Sequence, residues 1–390
     1  MEKQNNTGEK QRYGKVAIII PVYEEVNVIE KSVQNFSGFA KNGINIYYVT
    51  TEKEHGKHTT KNVLREIIKR KKFEQNIHII EYPYNTGVMA HQLNYAIEQF
   101  EPNTICFVYN VDSVIDIRTI DYVIDNIEVL DNGVFQQYSY SERTSDSRII
   151  NSAILWQNRW MFAFELPKTI RSKGTVKLLN FNYVIGHGLV FSREMYDNFE
   201  GFSESDINED NVLGYVLSIK NIPVYHIPYL EKVDFAYSTP VYLLQQETWF
   251  NGPLYAYKYF TDLCKKLENN KIKWRAFITA SLNFRAAINW LPFPITCIIL
   301  LIWTGLTSRY GMFLLLLALI EVYVRAINEV SELCIKKITG KQFKSRNIIS
   351  CQCLFWMFVH TIGPIRTLWK IIAGKNNQEN KKKPQKSKMF

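Results

Sequence analysis

Cysteine is scarce and shows no pairing pattern. Six occur in 390 residues (Cys106, Cys264, Cys297, Cys334, Cys351 and Cys353), and none forms a CxxC pair. Three lie in or beside apolar runs, so they read as reduced, buried thiols rather than a disulfide framework. The first fifteen residues, MEKQNNTGEKQRYGK, lack an apolar core, so no secretory signal is visible and the domain that follows is expected to stay in the cytosol. No internal repeat appears, which argues against a repeat architecture. No glycine- and lysine-rich loop follows the first apolar run; the residues there, PVYEEVNVIEK, are acidic. That absence weighs against nucleotidyl transfer, which needs a phosphate-cradling loop.

Acidic residues are outnumbered. The formal net charge is +10, concentrated in 65–72, in 335–346 and in the tail 381–388. The last two flank hydrophobic runs and suit an anionic membrane face better than nucleic acid. The first reads rather as a solvated helix face than as a binding patch. With 46% hydrophobic residues the chain has ample material for a core.

After a loose tail, 1–14, strand and helix patterns alternate. VAIIIPVY (16–23) is a continuous apolar run, as expected of a strand buried on both faces. Helical spacing follows at 27–41, then strands near 44–51, 76–83 and 104–112, with helices at 59–72 and 88–100 between them. The alternation predicts an α/β fold, a mostly parallel sheet with helices on both faces. Beyond it come a helix near 117–130, a strand at 133–141, an aromatic helix at 150–166, a strand–turn–strand after 182, a helix over 211–220 and a last strand in IPVYHIP. In such sheets ligands bind beyond the carboxyl ends of the strands. Tyr23-Glu24-Glu25, Thr50-Thr51-Glu52 and Asn110-Val111-Asp112 gather there.

The C-terminal third changes character. Residues 286–307 carry no charge and exceed the roughly 20 residues needed to cross a bilayer. A second run spans 309–328, and a third lies at 347–372. The basic loop 335–346 and the basic tail 373–390 should both face the cytosol, which suits two crossings with 347–372 lying in the interface; a third crossing is the alternative. Residues 256–285 mix aromatics with lysines and read as an amphipathic interfacial linker.

Asp112 ends a central strand, where a carboxylate is well placed to bind a hard cation, although such a residue also commonly caps the next helix. Ser113 and Asp116 are equal candidates for that cap. Six segments then follow in one order: IIIPVYEEVNVIEKSV, TGVMAHQLNYAI, FVYNVDSVID, GHGLVFSREM, NEDNVLGYVLS and QQETWFNG. Together they make the sequence resemble the family 2 glycosyltransferases of GT-A fold, specifically the membrane-attached branch that includes cellulose and hyaluronan synthases. The resemblance covers about residues 15–255.

It implies a sugar-transferring domain over 15–255 followed by transmembrane helices. Pro21, Tyr23 and Glu24 match the strand-end motif beside the nucleotide base, and Thr51 and Glu52 stand where the family often has a paired Asp for uracil and ribose. Asn110 and Asp112 match the DxD motif, with Asp112 the metal ligand. Gly186 and Gly188 match a loop at donor and acceptor, with His187 between them a candidate phosphate or acceptor contact or simply a loop histidine. Glu209-Asp210 matches the ED of the TED motif, Asp210 as catalytic base; an acidic helix start is an equally physical reading of the pair. Gln245 and Trp249 match the ends of QxxRW, which contacts diphosphate and acceptor.

Beside Thr50-Thr51-Glu52 in place of the paired Asp, three further departures stand out. Asn110 replaces the first Asp of DxD, Thr248 the Arg of QxxRW, and Asn208 the Thr before Glu209. Asn110 brings less charge, and Thr248 removes a bidentate phosphate clamp. The resemblance therefore implies an inverting transferase at the cytosolic face of the plasma (inner) membrane, using Mg2+ or Mn2+. Its donor would be a nucleotide sugar, UDP-linked first, and its acceptor a glycan or lipid-linked molecule. With so few crossings a pore of its own is not expected, although a polysaccharide-synthesis partner protein could complete one. The departures keep open a non-catalytic subunit of such a complex. A sugar nucleotidyltransferase, which shares a related sheet, is the other alternative.

Overall fold

The computed structural model describes residues 12–72, 75–142, 148–172, 181–206, 208–236, 238–265, 269–340 and 350–374. The expected N-terminal tail up to residue 11, the basic loop from 341 and the tail beyond 374 lie outside the described residues.

The first half alternates as the apolar runs require. Strand β1 (Val16–Pro21) is followed by helix α1 (Ile29–Lys41), β2 (Asn45–Thr51), α2 (Thr60–Lys71), β3 (Ile77–Tyr82), α3 (Met89–Ile97), β4 (Ile105–Val108) and α4 (Ile117–Asp125). All six residues of β1 are buried. Ile18 and Ile20 pack against Val33 and Phe36 of α1 on one face. Ile19 packs against Ala90 and Leu93 of α3 on the other. That is the two-faced burial of a central parallel strand. Helix α2 starts on Thr59, whose side chain accepts the Asn62 N–H at 3.2 Å, and ends in a basic turn.

The seven-stranded sheet has the order β3-β2-β1-β4-β7-β5-β8. Its later strands are β5 (Val134–Gln136), β7 (Leu189–Ser192) and β8 (Val224–His226). β7 runs antiparallel to both β4 and β5. The apolar stretch 133–141 divides into β5 and β6 (Ser139–Ser141), and β6 pairs with β9 (Glu231–Val233) in a separate two-stranded ribbon. The region after 182 holds one strand, not two: α7 (Arg193–Phe199) begins as soon as β7 ends, with the Ser192 hydroxyl capping the Met195 N–H at 3.0 Å. Before it, the aromatic segment forms α5 (Arg148–Arg159), a π-helical turn (Trp160–Glu165) and α6 (Leu166–Ser172).

After α8 (Glu209–Lys220) and α9 (Thr239–Leu254), the chain continues helically through α10 (Ala256–Cys264), α11 (Asn270–Trp290), α12 (Pro292–Leu306), α13 (Tyr310–Thr339) and α14 (Ser350–Ile372). Among the described residues, Asn270–Leu306 and Tyr310–Thr339 are long and apolar enough to cross a membrane. At 1.5 Å per residue the second reaches roughly 45 Å. Leu306, Leu314, Leu315, Leu319 and Val322 are exposed along them. An outward apolar belt of that kind has no reason to exist in water. The first of these helical stretches begins at Asn270, well before the uncharged run, and bends at Leu291 ahead of Pro292.

Candidate active site

In the sheet order, β2 and β4 flank β1 and both run parallel to it, so the strand order switches sides between β1 and β4: β2 and β3 are added on one side, β4 on the other. The carboxyl ends of those strands open a crevice, the place where α/β sheets bind ligands. A cavity of about 940 Å³ occupies it. Tyr23 from the end of β1, Thr51 from β2 and Asn110 from β4 form one wall. Gly186, His187, Glu209 and Asp210 form the floor, and Gln245 and Trp249 of α9 a second wall. The cavity then continues past Asn283 and Trp290 of α11 to Phe293 of α12, Tyr323 of α13 and His360 of α14.

Not every expected residue reaches this space. Pro21 is buried at the end of β1 and shapes the turn without lining the cavity. Glu24 turns outward in a left-handed conformation (φ 54°), its N–H donating to Glu54 Oε1 at 2.8 Å. Glu52 pairs with Lys61 at 2.7 Å, which holds its carboxyl below the ordinary carboxylate range. Asp112 is buried below the wall, and its Oδ2 accepts the Asp234 N–H at 3.2 Å. The next helix is capped by Asp116, which accepts the Arg118 N–H at 2.9 Å. Ser113 instead accepts the Asn110 N–H at 3.0 Å.

Asp210 sits in the first turn of α8. Gly186 N–H donates to its Oδ2 at 3.0 Å and Asn211 N–H to its Oδ1 at 2.7 Å. Burial pushes its carboxyl pKa up; the two backbone donors and nearby His187 pull against that without cancelling it. Asn208, where the family pattern has Thr, makes no side-chain cap and donates to the Thr248 carbonyl at 2.9 Å. Asn211 pairs with Asn283 of α11 at 2.7 Å, so the start of α8 is tied to the helix that leads toward the membrane.

The glycines differ in purpose. A Cβ on Gly186 would lie 3.2 Å from Glu209 Oε1 and 3.6 Å from Asp210 Oδ2, so its bareness keeps room beside the two acids. Gly188 has φ +66°, and a Cβ there would fall 2.4 Å from the Gln137 carbonyl oxygen.

Several wall residues carry no signal in the motif reading. Lys53, Arg159, Lys168, Arg171 and Arg285 bring cationic side chains to a cavity that Glu165, Glu209, Asp210 and Asp234 line with carboxylates. Lys53 donates to the Gly87 carbonyl, and the Arg159 guanidinium lies 3.6 Å from the centroid of the Trp156 ring. Thr248 contributes no charge, its hydroxyl donating back to the Leu244 carbonyl at 2.9 Å. Position 53 directly follows the strand-end motif, and Arg159 stands between Trp156 and Trp160; those neighbours were the available clues.

A hard divalent cation fits this corner in part. Asn110 offers an amide oxygen from the wall and Asp112 a carboxylate beneath it. Asp234 also lines the cavity but is paired with Lys31 at 3.3 Å. Among the described residues no group of three His, Cys, Asp or Glu side chains is placed to hold an ion.

A family model described as "Glycosyltransferase like family 2" matches residues 14–274. No curated protein matches the chain. Among solved structures, similarity is found to the mannosyltransferase PcManGT from Pyrobaculum calidifontis in complex with GDP-Man and Mn2+, at 13% identity and TM-score 0.49 over 94% of each chain. It is also found to S. aureus TarS 1–349 in complex with UDP-GlcNAc, at 14% identity and TM-score 0.45, over 93% of this chain and 92% of that one.

Proposed function

The chain belongs to the glycosyltransferase like family 2, transferases that use nucleotide-sugar donors, and from that premise we propose an inverting transfer at the cytosolic face of the membrane to a lipid-linked acceptor. The observation that carries the reading is that one cavity is lined by Asp210, by residues at the strand ends and by residues of the apolar helices.

The nucleotide sugar enters over Tyr23, Thr51 and Asn110, its sugar pointing toward Asp210. The acceptor hydroxyl approaches Asp210 from the opposite side. As the hydroxyl oxygen bonds to the anomeric carbon, the bond from that carbon to the diphosphate oxygen breaks and Asp210 takes the hydroxyl proton. One direct displacement inverts the anomeric centre. Gly186 N–H holds Oδ2 in place, and Gln245 and Trp249 border the acceptor path.

A divalent cation, Mg2+ or Mn2+, would supply positive charge to the departing diphosphate. Asp112 is its protein ligand in this reading, with Asn110 beside it. Because these two bring only one charge, the donor's own phosphates would provide much of the binding. The acceptor class follows from the far end of the cavity. Trp290, Phe293, Tyr323 and Met357 give this part of the cavity an apolar lining among the helices, which suits a lipid chain better than a bare sugar.

A donor screen on membranes tests this, comparing wild type with Asp210→Asn. Turnover with one donor and a loss of at least ~100-fold in the variant is expected, the scale of deleting a general base. Equal rates would remove Asp210 from the mechanism.

A further inference from the structure

Helix α3 carries a buried amide, Gln92, whose direction is fixed. Its Nε2 donates to the Val49 carbonyl at 2.8 Å and to the Val22 carbonyl at 3.1 Å. The Val49 carbonyl also accepts the Val22 N–H at 2.9 Å, so the amide sits across the seam near the carboxyl ends of β1 and β2. Two carbonyls around one nitrogen settle which way the group points, because the reverse orientation would set Oε1 against two oxygens. Both amide hydrogens are thus spent, and Oε1 can only accept. Among the described residues nothing donates to it, and it is not sealed in the core. Gln92 lines the cavity beside Tyr23, Thr51 and Lys53, so Oε1 is the atom it offers there.

The groups at the end of β2 do not duplicate this acceptor. The Thr51 hydroxyl donates to the Tyr84 carbonyl at 3.2 Å, and the Thr50 hydroxyl to the Ile80 carbonyl at 3.5 Å. Glu52 is paired with Lys61. Lys53, held on the Gly87 carbonyl, brings only hydrogens. A rigidly held oxygen with no donor of its own is costly unless whatever fills this end of the cavity supplies an N–H or O–H.

We propose that Gln92 is a specificity-determining residue whose Oε1 accepts the ring N–H of the donor's base, so that the site selects uracil or guanine over cytosine and adenine. The proposal rests on the donor reading above, in which the nucleotide enters over Tyr23 and Thr51. Uracil N3 and guanine N1 carry a hydrogen at the middle of the pairing edge, where cytosine N3 and adenine N1 carry a lone pair. A lone pair facing Oε1 repels it and leaves it unpaired, and a site built for a hydrogen bond rejects such a ligand strongly. The exocyclic amines of cytosine and adenine lie to one side of that position. The amide, tied through both hydrogens, cannot swing to meet them. A neutral acceptor on α3 thus stands in for the carboxylate that the threonines at the end of β2 do not supply.

The full chain in detergent with Mn2+ is titrated by calorimetry with UDP, GDP, CDP and ADP, and with N3-methyl-UDP and N1-methyl-GDP, as wild type and Gln92→Met. Wild type should bind UDP or GDP about 100-fold or more tighter than CDP and ADP, and the ring methyl should cost the preferred nucleotide a similar factor. Gln92→Met keeps the length of the side chain but also cuts the tie between the strand ends, so a lower unfolding temperature and weaker binding of every nucleotide follow from structure alone. Base reading shows in the ratios instead: the preference over CDP and the methyl penalty should each shrink by about tenfold or more in the variant. Ratios that survive in Gln92→Met, tightest binding of CDP or ADP by wild type, or equal affinity for plain and methylated nucleotide overturn the proposal and leave the donor reading standing. Binding of no nucleotide by wild type overturns the donor reading and the proposal with it. Should Gln92→Met fail to fold, the wild-type comparison of plain with methylated nucleotide decides.

Discussion

The Gly186 N–H donates to Asp210 Oδ2 across 3.0 Å, locking a loop without side-chain bulk onto the carboxylate assigned to proton abstraction. The bond favours the charged form, yet burial wins and the carboxyl pKa stays raised. Asp210 must be ionised to accept a proton. Turnover should therefore fall as pH drops through its raised pKa, and the acid limb of kcat/KM should lie above the ordinary Asp value of about 3.9. A pH–rate profile with the acid limb at or below that value would contradict the assignment.

The two glycines of the same loop should fail in different ways. Gly186→Ala places a methyl 3.2 Å from Glu209 Oε1 and 3.6 Å from Asp210 Oδ2, close enough that the flexible acid side chain must give by a few tenths of an ångström, so the protein should fold while turnover drops by about tenfold or more through displaced carboxylates. Gly188→Ala must accept φ +66° and a clash with the Gln137 carbonyl, and should lose about 1–3 kcal/mol or more. Thermal unfolding in detergent beside a turnover assay separates the two outcomes.

Asn110 stands on the cavity wall with Asp112 buried beneath it. Asn110→Asp adds a second carboxylate at the same reach. Mn2+ affinity in the presence of a nucleoside diphosphate should tighten by about tenfold, since ligand charge sets the affinity of oxygen sites. Calorimetry on wild type and variant reads this directly. An unchanged affinity would mean that the cation, if used, does not sit at this strand end.

Much of this was legible from the chain itself, because the informative residues lie where local pattern and tertiary position coincide. Val16–Pro21 is apolar throughout because it is covered on both faces, and Asn110 lies beyond the end of the neighbouring strand because the sheet places it there. The buried Glu231, which pairs with Ser113 and His187, was invisible for the opposite reason. It sits on a three-residue strand paired with another equally short one, and those partners are 118 and 44 residues away. No local periodicity marks such a position. The antiparallel β7 was hidden likewise, since a four-residue buried strand carries no sign of its direction. Asp112 ended below the wall because a side chain's aim depends on the neighbouring 234 backbone, which a motif does not encode.

Helix α14 meets the catalytic half of the chain at Gly363. A Cβ there would lie 2.6 Å from Gln246 Cβ and 2.7 Å from the Glu247 backbone nitrogen of α9. Around that contact Thr367 donates to the Glu247 carbonyl at 3.1 Å, and Lys370 pairs with the buried Glu247 carboxylate. α9 also carries Gln245 and Trp249, so a shift at Gly363 reaches the cavity wall through one rigid helix. Gly363→Val should overpack the crossing at a cost of about 1–3 kcal/mol and lower turnover by displacing Gln246, which lines the cavity, and α9 with it, without replacing any residue assigned to donor, acceptor or base. Glu247→Ala should weaken the same junction by stranding Lys370 and emptying a buried position. If helix packing transmits the effect, both variants should lower the unfolding temperature and kcat together. A variant that loses stability but keeps full kcat would show that α14 is a brace for the fold alone, uncoupled from the position of Trp249.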